Sequence, residues 1–202
     1  MSARTRRPVS GKSPRRGGES GQCRIIGGTW RGRRIEFPAV EGLRPTPDRV
    51  RETLFNWLGP VLAGSRCLDL FAGSGALGLE AASRGAARVV MLDRDRRVVA
   101  ALRETLARLG AEAPVELLQI DASGYLAGPA EPFDIVFVDP PYDSDLVRPV
   151  CRALEEGGWL RAGSLIYLEQ PAGVGLAGLP EGWRSKRSKK TAQVGYHLIE
   201  RE

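Results

Sequence analysis

Cys67-Leu68-Asp69-Leu70-Phe71-Ala72-Gly73-Ser74-Gly75-Ala76-Leu77-Gly78-Leu79-Glu80 sets the architecture of this chain. An apolar run meets three glycines spaced G-x-G-x-x-G and passes into a helical pattern, which predicts a strand, a tight turn and a helix start. Downstream the same alternation recurs. Strands are expected at Arg66–Leu70, Arg88–Leu92, Val115–Ile120, Phe133–Val138 and Ser164–Glu169, and helices at Ala76–Ser83, Asp95–Leu109 and Asp145–Glu156. Apolar strands separated by helices predict an α/β fold, a doubly wound and mostly parallel sheet covered on both faces. A basic stretch (Arg184, Lys186, Arg187, Lys189, Lys190) leading into Gln193–Ile199 breaks the rhythm and predicts a C-terminal antiparallel hairpin on the sheet edge. Upstream, Thr46 reads as an N-cap with Pro47 at the first helical position of a helix over 47–62. Before it, glycine-broken apolar stretches from Arg24 predict a small β-hairpin with Arg31, Arg33 and Arg34 at its turn.

The whole chain spans 202 residues and is 42% hydrophobic, enough for one buried domain with an appendage. No apolar run reaches the roughly 18 residues of a membrane span, and no apolar stretch follows the basic N-terminus as in a secretory signal, so a cytoplasmic location is expected. Residues 1–24 carry the entire net charge of +6; the remainder balances. The expected division is a disordered basic tail over 1–22, a hairpin-and-helix extension over 23–63 and a main domain over 64–202. Balanced charge makes a monomer the default. Three scattered cysteines and a single histidine, His197, disfavour a disulfide framework, a metal site or a Ser-His mechanism.

Two carboxylates narrow the ligand. Asp69 precedes the glycines, where a negative charge would repel a pyrophosphate but suit a cation. Asp93 ends the next strand, where such folds keep an acceptor for ribose hydroxyls. A cation bearing a ribose suggests S-adenosylmethionine. Asp121, ending the third strand, suits an adenine amino group or a helix cap. The most specific stretch is Asp139-Pro140-Pro141-Tyr142 at the end of the fourth strand. Consecutive prolines cannot continue a strand and fix a stiff turn. The Asp139 carboxylate and the Pro140 carbonyl could accept both hydrogens of a base amine, aiming its lone pair at a methyl group, while Tyr142 stacks on the base.

Together these motifs resemble class I S-adenosylmethionine-dependent amino-methyltransferases. Arg24-Ile-Ile-Gly-Gly-Thr-Trp-Arg-Gly-Arg33 and Gly42-Leu-Arg-Pro-Thr-Pro-Asp-Arg-Val-Arg-Glu-Thr-Leu-Phe-Asn-Trp-Leu58 are similar to the RsmD-type 16S rRNA guanine-N2 methyltransferases. The resemblance runs from about residue 24 onward. It implies a Rossmann-like methyltransferase sheet and a bacterial enzyme that methylates N2 of guanine 966 without a metal, in the assembling or assembled small subunit. It also implies cofactor contacts at Asp69, Gly73, Gly75, Asp93 and Asp121, with Phe71, Ala72, Ser74, Arg94 and Ala122 flanking them, and catalysis at Asp139, Pro140, Pro141 and Tyr142. Arg44 and Thr46 would stand near the methionine end of the cofactor. Arg31, Arg33, Arg34, Lys186, Arg187, Lys189 and Lys190 are expected to contact RNA. Adenine-N6 methylation of DNA and a non-catalytic RNA-binding assembly factor are the competing expectations.

Overall fold

The computed structural model describes residues 20–110, 115–142 and 144–202. Most of the expected basic tail, residues 1–19, therefore lies outside the described residues. Strand β1 (Gly21–Arg24) begins two residues inside the stretch assigned to that tail, because it pairs antiparallel with β2 (Arg34–Phe37), Gly21 opposite Phe37. Helix α1 (Asp48–Leu62) follows, then β3 (Arg66–Asp69), α2 (Ala76–Ser83), β4 (Arg88–Asp93), α3 (Arg96–Leu109) and β5 (Val115–Gln119). The remaining elements are α4 (Ala122–Leu126), β6 (Phe133–Val138), α5 (Val147–Glu156), β7 (Leu160–Pro171), β8 (Trp183–Lys190) and β9 (Val194–Arg201). Short helix α4 was not expected: five residues are too few to show a helical period. Strand β7 runs well past the expected Ser164–Glu169, and α5 starts two residues later than Asp145.

The main sheet has the order β5-β4-β3-β6-β7-β9-β8, parallel from β5 to β7, with β9 and β8 added antiparallel. This is the expected doubly wound sheet with its terminal hairpin. Strand pleating sends alternate residues to opposite faces. Cys67, Ile135, Phe137 and Tyr167 pack under α1, α2 and α3, while Leu68, Val136, Val138, Ile166 and Leu168 pack under α4 and α5. The same parity carries Asp69, Asp139 and Glu169, at or just beyond the carboxyl ends of the neighbouring strands β3, β6 and β7, to the α1 face. The N-terminal extension covers that face.

What docks the extension is a buried charge cluster on α1 and α2. Glu80, fully buried, accepts the Ile26 amide at 2.7 Å and the Gly27 amide at 2.8 Å, and pairs with Arg84 at 2.6 Å. Ser83 at the end of α2 accepts the Thr29 amide through its carbonyl and the Trp30 amide through its hydroxyl. Between these, Gly28 adopts φ +77°, and a Cβ there would lie 1.8 Å from the Ser83 carbonyl oxygen. Neither a left-handed backbone nor a helix carbonyl can yield cheaply. Gly28→Ala is thus expected to lower stability by at least ~1–3 kcal/mol and loosen the hairpin. Thermal denaturation checks this; an unchanged midpoint would contradict the docking.

Candidate active site

Beyond the carboxyl ends of β3 to β6 the chain encloses a cavity of about 360 Å³, within the range of small-molecule sites. Its floor is the glycine turn. Gly73 faces the cavity, and a Cβ built there would meet nothing closer than 3.7 Å. Gly75 sits behind the cavity wall rather than on it. It holds φ +78° as the residue preceding α2, and its missing Cβ makes room for Leu102, which would lie at 2.5 Å. Gly78 likewise faces inward, toward Met91 and Asp69. A Cβ would therefore point into the core at Gly75 and Gly78, and into open space at Gly73.

The other expected cofactor positions, Asp69, Phe71, Ala72, Ser74, Asp93, Arg94, Asp121 and Ala122, all line the cavity. Asp69 is buried and accepts the Gly78 amide at 3.0 Å. Burial pushes its carboxyl up to about 7, against the pull of the Gly78 and Phe71 amides. Asp93 accepts the Gly73 amide at 3.0 Å and the Asp95 amide at 2.8 Å, tying the glycine turn to the end of β4. Burial raises its carboxyl too. Asp121 accepts the Gly124 amide at 2.8 Å, so it caps α4 while lining the cavity.

Asp139, Pro140, Pro141 and Tyr142 close one end of the cavity. Burial, then the Glu169 carboxylate and then Asp69 raise Asp139 well above the usual carboxylate range. Only Thr46 opposes this, its hydroxyl donating to Oδ2 at 3.3 Å. That contact overturns the reading of Thr46 as a helix cap. Pro47 precedes the helix instead, no side chain caps it, and the freed hydroxyl reaches across the cavity. Tyr142 leaves half its surface exposed at the rim, and its hydroxyl donates to Glu169 at 2.5 Å. Glu169 is itself buried and also receives the Tyr167 hydroxyl at 2.6 Å. Sequence reasoning missed Glu169, although an acid ending an apolar strand beside Asp139 was a usable signal. It also missed the strap Val40–Leu43, which together with Arg44 and Thr46 lines the cavity, because the strap has no period to read.

The basic clusters separate. Lys189 pairs with Tyr196, and Tyr196 with Glu169, so Lys189 and Lys190 stand at the cavity end of the sheet, two strands and roughly 10 Å from Glu169. Lys186, one of the expected RNA contacts, pairs with Glu200 at 2.7 Å, and Arg184 pairs with Glu202. The acids that neutralise them come from β9 and the residue after it, out of view in a strand-by-strand reading. Arg187, Lys189 and Lys190 are exposed and form no ion pair among the described residues. Arg31, Arg33 and Arg34 are also exposed, but their turn docks at Ser83, the end of α2 remote from the glycine turn, one helix length or about 12 Å away. Among the described residues no cluster of three metal-ligating side chains occurs, and no helix is long and apolar enough to cross a membrane.

Comparison with known proteins agrees with this geometry. The profile of the family described as "Conserved hypothetical protein 95" matches residues 23–200. The chain is 49% identical to ribosomal RNA small subunit methyltransferase D of Escherichia coli K12 over 191 residues, 95% of this chain and 96% of that one. The solved structure of Escherichia coli yhhF superimposes with a TM-score of 0.83 at 47% identity, covering 90% of this chain and 99% of that one. A 16S rRNA N2 G1207 methyltransferase from Thermus thermophilus, solved with AdoMet and guanosine, shares the fold at a TM-score of 0.70 and 23% identity, over 92% of this chain and 51% of that one.

Proposed function

Because the chain belongs to the RsmD-type family of ribosomal RNA small subunit methyltransferases, we propose that it methylates the exocyclic N2 amine of a guanine, guanine 966, in bacterial 16S rRNA. The observation that carries the reading is the placement of the Asp139–Tyr142 turn at one end of a cavity whose other walls are the glycine turn, Asp93 and Asp121. The cavity fits S-adenosylmethionine in chemistry. Asp69 offers a negative charge to its cationic end, Asp93 an acceptor to its ribose, Asp121 with Ile120 and Ala122 an edge and apolar walls to its adenine, and the bare face of Gly73 room to lie against the backbone. Bound there, the cofactor would supply an electrophilic methyl group on sulfonium sulfur, its departure leaving the carbon–sulfur electron pair on a neutral thioether.

The chain's own residues orient and desolvate the amine. A guanine N2 lone pair is delocalised into the ring, so the amine must be turned out of conjugation to attack. Asp139 and the Pro140 carbonyl, on the stiff double-proline turn, are the acceptors we assign to its two hydrogens, and Tyr142 the ring we assign to the base face. Asp139 can take the proton that nitrogen sheds on methylation only from its ionised form, which burial beside Glu169 disfavours in the empty site. Product nucleosides test the reading. N2-methylguanosine is expected; N6-methyladenine or no methylated product would overturn it.

Asp69 gives the cofactor a pH signature. Its folded pKa, about 7, lies above its ordinary value of 3.8, so the empty fold favours the protonated form and loses stability as pH rises from about 4 to about 7. A cation beside it favours the ionised form. S-adenosylmethionine affinity is therefore expected to rise with pH to about 7 and level off above it. Calorimetry in buffers of different ionisation enthalpy reads the released proton; a flat profile from pH 5.5 to 8 would contradict this role.

On the RNA side, Arg187, Lys189 and Lys190 are the proposed phosphate contacts beside the reacting base, and the Arg31–Arg34 turn is a remote one. Reversing Lys189 and Lys190 to glutamate should raise KM for RNA without changing kcat and reduce the log-log salt slope of binding by about 1.4–1.8. Filter binding from 50 to 300 mM salt checks it, and an unchanged slope would remove these lysines from the interface. A cytoplasmic monomer working on the small subunit completes the proposal.

A further inference from the structure

Resting on the assignment of Asp139 as the group that holds the amine, we propose that Arg51 is a positioning residue for methyl transfer, fixing through Thr46 the carboxylate that receives the substrate. Arg51 lies on the apolar face of α1 among Val50, Leu54, Phe55 and Leu58 and is fully buried. A charge there costs desolvation that an apolar residue would avoid, so packing alone does not account for it. The reason lies in what its planar fork joins. Nε donates to the Thr46 carbonyl at 3.2 Å, and Nη2 donates to the Arg24 carbonyl at 2.9 Å and to Asp48 at 2.6 Å. Nη1 faces Glu80 at 3.6 Å and has no hydrogen-bond partner. One side chain thus ties the end of β1, the strap over the cavity and helix α2, which starts at the glycine turn.

The tie continues to the reacting end of the cavity. Thr46, whose carbonyl Arg51 holds, turns its hydroxyl to Asp139 Oδ2 at 3.3 Å. Glu80 locks Arg51 and also holds the Ile26 and Gly27 amides, so docking of the hairpin and placement of the catalytic carboxylate share one buried node. Lysine cannot reproduce the function, because a single ammonium cannot span the directions of the fork.

The experiment measures single-turnover methyl transfer to small subunits at saturating cofactor and RNA, together with melting midpoints, for Arg51→Lys, Thr46→Val, Thr46→Ser, the Arg51→Lys/Thr46→Val double variant and Asp139→Ala. Arg51→Lys and Thr46→Val should each slow transfer by roughly five- to tenfold, the loss of about one hydrogen bond. The double variant should be no slower than the worse single one, and Thr46→Ser should retain the wild-type rate. Multiplicative losses in the double variant, or a wild-type rate for Thr46→Val, would overturn the proposal. Should Arg51→Lys fail to fold, Thr46→Val and Thr46→Ser decide it alone: loss with valine and rescue by serine supports it, and equal rates for both overturn it. Asp139→Ala separates the two levels: if it transfers at the wild-type rate, the reading of the active site itself has failed.

Discussion

Asp139→Ala is expected to reduce methyl transfer by roughly 10²- to 10³-fold while leaving S-adenosylhomocysteine affinity within about twofold of wild type. The size follows from what Asp139 holds. In the proposed mechanism an exocyclic base amine becomes nucleophilic when both hydrogens are held and its lone pair is turned from the ring, and Asp139 is one of the two acceptors assigned to hold them. Cofactor affinity should survive because the proposed ribose and adenine acceptors, Asp93 and Asp121, stand at the end of β4 and before α4, away from the substitution. Asp139→Asn keeps one acceptor oxygen and should fall between the two. Wild-type turnover in the alanine variant would remove Asp139 from catalysis; loss of cofactor affinity of more than about tenfold would make its role one of binding.

Glu80→Ala, on α2 beneath the docked extension, should cost a large part of the fold's stability. It strips the acceptor from the Ile26 and Gly27 amides, leaves buried Arg51 with only the half-exposed Asp48 as an anionic partner, and leaves Arg84 unpaired beside it. Breaking a buried charge pair by removing one partner costs about 3–5 kcal/mol, which for a chain of this size lowers the melting midpoint by roughly 6–20 °C. Glu80→Gln, which keeps acceptor oxygen near the two amides, should lose less. Urea denaturation checks both. A loss below about 1 kcal/mol for the alanine variant would mean that the hairpin is held by other contacts.

Much of this was legible in the sequence because the relevant signals are local. The alternation of apolar strands with helices gave the parallel sheet, and the turn chemistry of Gly73–Gly78 and Asp139–Tyr142 placed two walls of the cavity at its carboxyl edge. What could not be read depends on distant partners. Thr46 has the chemistry of a helix cap and the position of one, yet a carboxylate 93 residues away takes its hydroxyl. Gly75 belongs to the motif but answers to Leu102 on another helix. Glu80 closes the quoted glycine stretch and looks like an ordinary helical acid until the hairpin amides arrive. Lys186 looks free in a basic run and is neutralised by Glu200 on the neighbouring strand.

The central claim is tested most directly by transfer of labelled methyl from S-adenosylmethionine to small subunits, and to naked 16S RNA, from a strain lacking this modification, followed by nucleoside identification and site mapping. The account predicts N2-methylguanosine at guanine 966, formed roughly 10²- to 10³-fold more slowly by Asp139→Ala. Label at another nucleotide or in another base, or no label in either substrate from protein that binds the cofactor, would contradict it.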